Sequence, residues 1–205
     1  MRPLARAAAC AALALLPASG ALAQSAGDIT LGFGLHTVNP KDDIGTLAGA
    51  EAHAGDNAQP TITFEYFLRD NLGIELLAAT PFSHDVSLAG LGTVAKVKQL
   101  PPTVSIQYHV QTGTRATPFL GVGLNWTTFT EDKGTGALAG ADVDLDDSWG
   151  LALHAGVDWQ ISERGALRLD ARWIDIDSEV KVNGAKVGTA HVDPWVFGVA
   201  YVHRF

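Results

Sequence analysis

The chain has 205 residues, a single cysteine and a formal charge of −8, with 22 acidic against 14 basic side chains. That balance argues against nucleic acid as a partner, because a phosphate backbone is held by clustered Lys and Arg. One cysteine leaves no intramolecular disulfide to form, and the length suits one domain undivided by linker or low-complexity sequence.

Residues 1–23 place Arg2 and Arg6 ahead of an apolar run over residues 7–16, then the small-residue site Ala21-Leu22-Ala23 before Gln24. This is the layout of a cleavable signal peptide, with an apolar part too short to span a bilayer. Cys10 precedes most of the apolar run, the wrong place for a lipid-modified cysteine, so it leaves with the signal. The expected mature domain, residues 24–205, keeps 12 basic and 22 acidic side chains, a net −10.

Eight segments then alternate with period two, the spacing of a strand whose faces meet different surroundings. They are Ile29-Leu31-Phe33-Leu35, Ile62-Phe64-Tyr66-Leu68, Leu72-Ile74-Leu76-Ala78, Val104-Ile106-Tyr108-Val110, Leu120-Val122-Leu124-Trp126, the run from Trp149 to Ile161, Leu167-Leu169-Ala171-Trp173, and the run from Trp195 to Phe205. Gly, Ala, Ser, Thr and a few charges occupy the intervening positions. Short connections (residues 69–71, 111–117 and 162–165) alternate with long ones (39–59, 80–102, 127–148 and 175–194). Loops sorted by length and an even strand count predict an all-β fold: an eight-stranded antiparallel up-and-down transmembrane β-barrel of the outer membrane.

Aromatic placement agrees with that expectation. With both termini periplasmic, Trp126, Trp149, Trp173 and Trp195 reach the outer rim. Tyr66, Tyr108, Trp159, Tyr201 and Phe205 fall toward the inner rim. Two aromatic belts around an aliphatic band are what the two bilayer interfaces select. The small and charged face then lines an interior only just wide enough for side chains, which excludes a wide aqueous pore.

The stretches "LPPTVSIQY" (100–108), "PFLGVGLN" (118–125), "LRLDARWIDI" (167–176) and "VDPWVFGVAYVHRF" (192–205) resemble the OmpW family of small outer-membrane proteins. The resemblance covers essentially the whole mature chain. It implies a narrow hydrophobic passage that lets small apolar molecules enter and leave sideways into the membrane. It also implies that Phe205 is the signal read by the outer-membrane assembly machinery, although His203 stands where a Tyr is usual.

The long connections hold Ile44, Leu47, Val86, Leu88, Leu91, Val94, Leu138 and Val143, more apolar than exposed loops require. Leu47, Leu88, Leu91, Val94 and Leu138 are the candidate contacts for a small hydrophobic ligand. The same residues also suit packing on one another or contact with outer-membrane lipids and lipopolysaccharide. Loop polarity is what separates a ligand funnel from a structural or receptor barrel of the envelope.

Inside the barrel, Glu65 and Glu75 are symmetric about Asp70, so a hairpin centred there sets them opposite each other. Like carboxylates side by side need a cation between them. Arg168 and Arg172 also point inward, which predicts a buried network of Glu65, Glu75, Arg168 and Arg172 joined by Asp158 or Asp170. His109 and His154 read as single inward side chains. The carboxylates of residues 142–147 lack the glycine and distal glutamate of an EF-hand, so a solvated acidic loop is expected and no metal. A lipid-modifying barrel enzyme is the rival function, but no Gly-x-Ser-x-Gly or comparable spacing sets a nucleophile beside a base. No enzyme activity and no cofactor are expected.

Overall fold

The structure, a computed structural model, describes residues 24–205; the predicted signal peptide and Cys10 lie outside the described residues. Eight long strands run β1 (Ile29–Asn39), β2 (Asn57–Arg69), β3 (Leu72–Ala79), β4 (Thr103–His109), β5 (Ala116–Gly134), β6 (Ser148–Gln160), β7 (Gly165–Ile174) and β8 (Trp195–Arg204). Each pairs antiparallel with its chain neighbours, and β1 pairs with β8 from Thr30↔Arg204 to Asn39↔Trp195. That last ladder closes the sheet, so the barrel has no free edge.

The wall is turned inside out relative to a soluble protein. On β7, Leu167 and Leu169 are 40% and 52% exposed, whereas Arg168 and Arg172 keep only 2% and 1% of their surface. Exposed aliphatic side chains form the band that meets lipid, and Thr, Ser, Gln and charged groups fill the inside. The belts fall at its two margins. At one, Trp126 stacks on Trp149 with ring centroids 5.7 Å apart, and Trp173 lies opposite Trp195. At the other, Tyr66, Tyr108, Trp159, Tyr201 and Phe205 are all exposed.

The four long connections are not the irregular loops that the eight-segment count leaves there. They carry strands Thr46–Leu47, Ala50–Ala54, Phe82–Leu88, Gly92–Leu100, Val143–Leu145, Asp177–Val182 and Ala185–His191, with a 3-10 turn at Gly136–Leu138. β5 itself runs for 19 residues, about twice what a tilted strand needs to cross a bilayer. Its far half pairs with Gly92–Leu100, so the sheet continues past the membrane as a raised wall. The physical reason is that register shifts at Val86/Ser87 and Lys98/Gln99 break the two-residue period, hiding these strands from an alternation count. The apolar core also sits here. Val38, Ile44, Leu47, Phe82, Leu88, Val94, Ile174, Ile176, Val180 and Val196 form one buried cluster at the long-connection end.

Candidate functional site: an apolar cavity above a charged plug

Within the raised wall lies a cavity of about 200 Å³. All four long connections contribute to it, through Leu47 from the first, Leu88 and Val94 from the second, Leu138 and Val143 from the third, and Val180 and Val187 from the fourth. Each of the five candidate ligand contacts lines this space. Leu47, Leu88 and Val94 are buried in its wall, while Leu91, 56% exposed in the turn between Phe82–Leu88 and Gly92–Leu100, stands where solvent reaches it. The fourth connection's valines were not among the candidates, and neither were the two polar residues of the lining, His84 and Gln99.

Beneath the cavity the axis is closed in two layers. First come Val38, Ala152, Ile174 and Val196, part of the apolar cluster and each 2% exposed or less. Below them is the charge network. Glu65 and Glu75 are directly paired across the β2–β3 hairpin. Arg168 reaches both, with Nη1 at 2.6 Å from Glu75 Oε2 and Nη2 at 3.5 Å from Glu65 Oε2. The same guanidinium donates from Nε and Nη2 to both oxygens of Asp158, at 2.7 and 2.9 Å, and its Cζ lies 4.4 Å from the centre of the Phe119 ring. Arg172 donates to Glu75 Oε1 at 2.9 Å. A fork of fixed donors matched to two carboxylates is the geometry for which Arg suits a buried site better than Lys.

Of the two carboxylates expected to join the network, Asp158 binds Arg168 directly, whereas Asp170 lies 3.2 Å from His36 Nε2 and 3.0 Å from His154 Nε2 and reaches Arg172 only through His154, whose Nε2 is 3.2 Å from Arg172 Nη2. One expectation is corrected: the inward histidines are not single. His109 Nε2 lies 2.8 Å from Glu65 Oε1 and its ring stacks on Phe119, while His154 Nδ1 lies 2.9 Å from Gln107 Nε2. Paired imidazole and carboxylate groups are how a water-poor interior tolerates polar side chains. His36 and Gln107 were missed because nothing in a single strand reveals what faces it across a barrel. With Arg172, Phe67, Phe119, His109 and Gln107 each under 2% exposed, the interior is filled rather than open.

A closed eight-stranded barrel, apolar outside, polar within and belted by aromatic residues at both margins, is an integral outer-membrane β-barrel protein. The sequence pattern of the OmpW family matches residues 25–205, and the chain belongs to that family. Outer membrane protein W of Vibrio cholerae is 34% identical over 95% of this chain and 96% of that protein. Its namesake from Escherichia coli K12 is 36% identical over the same shares. The crystal structure of OprG from Pseudomonas aeruginosa matches with a TM-score of 0.77 at 34% identity, covering 88% of this chain and 97% of that one. The protein resides in the outer membrane, its short turns on the periplasmic side and its raised wall and cavity outside.

Proposed function

We propose that the protein is a narrow hydrophobic passage through which small apolar molecules enter the outer membrane. The observation that carries this reading is the pairing of an apolar cavity, built by all four outer connections, with a plug that closes the axis directly below it. An apolar molecule crossing the lipopolysaccharide layer finds in the cavity the apolar surface that headgroups and water deny it. It has nothing to gain from the charged interior, where it would displace hydrogen-bonded ion pairs. The favourable exit is therefore sideways into the lipid that the outer wall already faces. Lipopolysaccharide and outer-membrane lipids are the partners of that wall, and Phe205, exposed at the end of β8, is the residue offered to the assembly machinery.

The test is uptake of a small apolar compound by cells carrying or lacking the protein, together with a variant that fills the cavity, Val94→Trp. Uptake should fall with deletion and fall comparably with the filled cavity at normal protein abundance. Equal uptake in all three strains would favour a structural or receptor barrel.

A further inference from the structure

The four outer connections hold 15 acidic side chains against six lysines, so most of the raised wall repels anions. Three of those lysines are each bridged closely to a carboxylate. Lys41 Nζ lies 2.7 Å from Asp193 Oδ2, Lys181 Nζ lies 2.7 Å from Asp146 Oδ1, and Lys186 pairs with Glu179. The other three, Lys96, Lys98 and Lys133, gather on one panel of the wall, where the strand Gly92–Leu100 pairs with the far half of β5.

The panel faces outward. Val97 lines the cavity and pairs with Asp132, and the alternation of a strand turns the flanking Lys96, Lys98 and Lys133 to the opposite side. Lys96 and Lys133 are exposed, and Lys98 is half-buried. The ladder sets Lys96 directly across from Lys133. Two like charges at facing positions of a sheet are unfavourable on their own, and an anion lying between them turns the repulsion into attraction. Asp85 on the neighbouring strand neutralises this pair weakly, its Oδ1 3.5 Å from Lys96 Nζ with both side chains more than half exposed. Lys98 stands across the ladder from Glu131, which leaves the panel net positive on a wall that is otherwise acidic. Height matters as well. Trp126 of the outer belt donates its N–H to the Pro102 carbonyl at 3.0 Å, and Lys98 and Lys96 lie four and six residues from Pro102 along the chain. At about 3.3 Å per residue on a tilted strand, the panel begins roughly 10 Å above the belt, where the outer leaflet presents phosphorylated sugars in place of acyl chains.

We infer that Lys96, Lys98 and Lys133 form a binding site for the phosphates of lipopolysaccharide, with one phosphate seated between the facing Lys96 and Lys133. The inference rests on the reading of lipopolysaccharide as a partner of the outer wall and adds where the contact is made. An ammonium group on a flexible stem acts as a point charge, which suits phosphates whose positions vary along a sugar chain. The acidic remainder of the rim repels the same headgroups, so the lipid is held on one side of the barrel.

The test is titration of rough lipopolysaccharide into the protein folded in zwitterionic micelles, with EDTA present so that no divalent cation bridges the acidic rim. Native mass spectrometry counts the bound lipid. Two variants carry the same change in charge, Lys96→Gln/Lys98→Gln/Lys133→Gln on the panel and Lys41→Gln/Lys181→Gln/Lys186→Gln away from it. The panel variant should lose about tenfold in affinity and the other less than about threefold. Lipopolysaccharide stripped of its phosphates should bind the wild type no better than it binds the panel variant. Equal losses in the two variants, or none in either, would overturn the panel assignment while lipopolysaccharide binding by the wild type leaves the partner reading intact. Wild-type affinity for lipopolysaccharide no greater than for phosphatidylcholine would remove the partner reading itself. Displacement of the lipid by millimolar inorganic phosphate would assign the site to a free anion and overturn the lipid assignment. Where a triple variant does not fold, Lys133→Gln set against Lys186→Gln repeats the comparison, with a loss expected in the first alone.

Discussion

Arg168 and Glu75 meet at 2.6 Å across the barrel interior, 93 residues apart in the chain, with 3% and 0% of their side chains exposed. Asp158 and Glu65 share the same guanidinium, so removing it leaves three carboxylates with a common buried partner gone. Arg168→Met should therefore destabilise the barrel by about 3–5 kcal/mol, the usual result of stranding buried charge. Arg172→Met should lose less, since its hydrogen bonds run to Glu75 and His154 alone and its Nε and Nη1 make none. Denaturant unfolding in micelles measures both, and adding Glu75→Gln to Arg168→Met should recover part of the loss. Wild-type unfolding of Arg168→Met would mean that the network contributes nothing to stability.

The backbone beside Asp170 leaves no room for a side chain. A Cβ at Gly198 would lie 2.1 Å from His36 Nε2 and 2.7 Å from Asp170 Oδ1. These are side-chain ends, so Gly198→Ala should fold by turning His36 away rather than by moving a strand. The expected cost is about 1–3 kcal/mol, that of modest overpacking, plus loss of the His36–Asp170 contact. The imidazole resonances of His36 should shift strongly while those of His109, held by Glu65 on the other side of the network, stay in place.

How much of this arrangement is legible in the chain depends on distance. The hairpin centre at Asp70 places Glu65 against Glu75 because register within a hairpin is set by its turn. The inward direction of Arg168 and Arg172 follows from the alternation around Leu167, Leu169 and Ala171. Which inward groups then meet is fixed by strand stagger around the closed barrel, a property of the whole sheet. This is why Asp170 finds His36 and His154 instead of an arginine. The raised wall is hidden for a different reason. Its strands are bulged, and Gln99 reads as one polar residue in "KVKQL" until the ladder to β5 shows where it points.

The outer wall should respond to pH through His84. Burial lowers its pKa, against the opposing pull of the Gly55 carbonyl and of Asp56 and Asp85; across the ladder, Lys96 pairs with Asp85 at 3.5 Å. Because the folded value lies below the unfolded one, about 6.5, the unfolded chain takes the proton first as pH falls. The stability that neutral His84 contributes is thus fully present above about pH 6.5 and declines as pH drops toward the folded value. Amide exchange over residues 82–99, corrected for intrinsic rates, should be faster at pH 5 than at pH 7.5. His84→Gln should remove most of that difference, and an unchanged pH dependence in the variant would assign it to another group.

The last long connection tests whether the cavity wall is stable independently of the barrel. Asp177–Val182 and Ala185–His191 are joined at Asn183 and Gly184, with φ of 50° and 77°. This Asn-Gly pair is the sequence signature of a tight two-residue hairpin turn, which few other residues enter without strain. The β-branched residue in Asn183→Val should cost about 1–2 kcal/mol at a left-handed position. The hairpin carries Val180, Val187 and Ala190 into the cavity wall, but its ladder is to Val143–Leu145 and not to the barrel sheet. The loss should therefore appear as faster amide exchange over residues 177–191 and weaker binding of apolar probes. Barrel unfolding in denaturant should move little, because nearly all of the closing ladder of β1 with β8, from Thr30↔Arg204 up to Val38↔Val196, and the ion pairs of Arg168 lie at or on the membrane side of the apolar layer formed by Val38, Ala152, Ile174 and Val196. If barrel unfolding instead shifts by the full cost of the turn, the outer wall and the barrel form one cooperative unit.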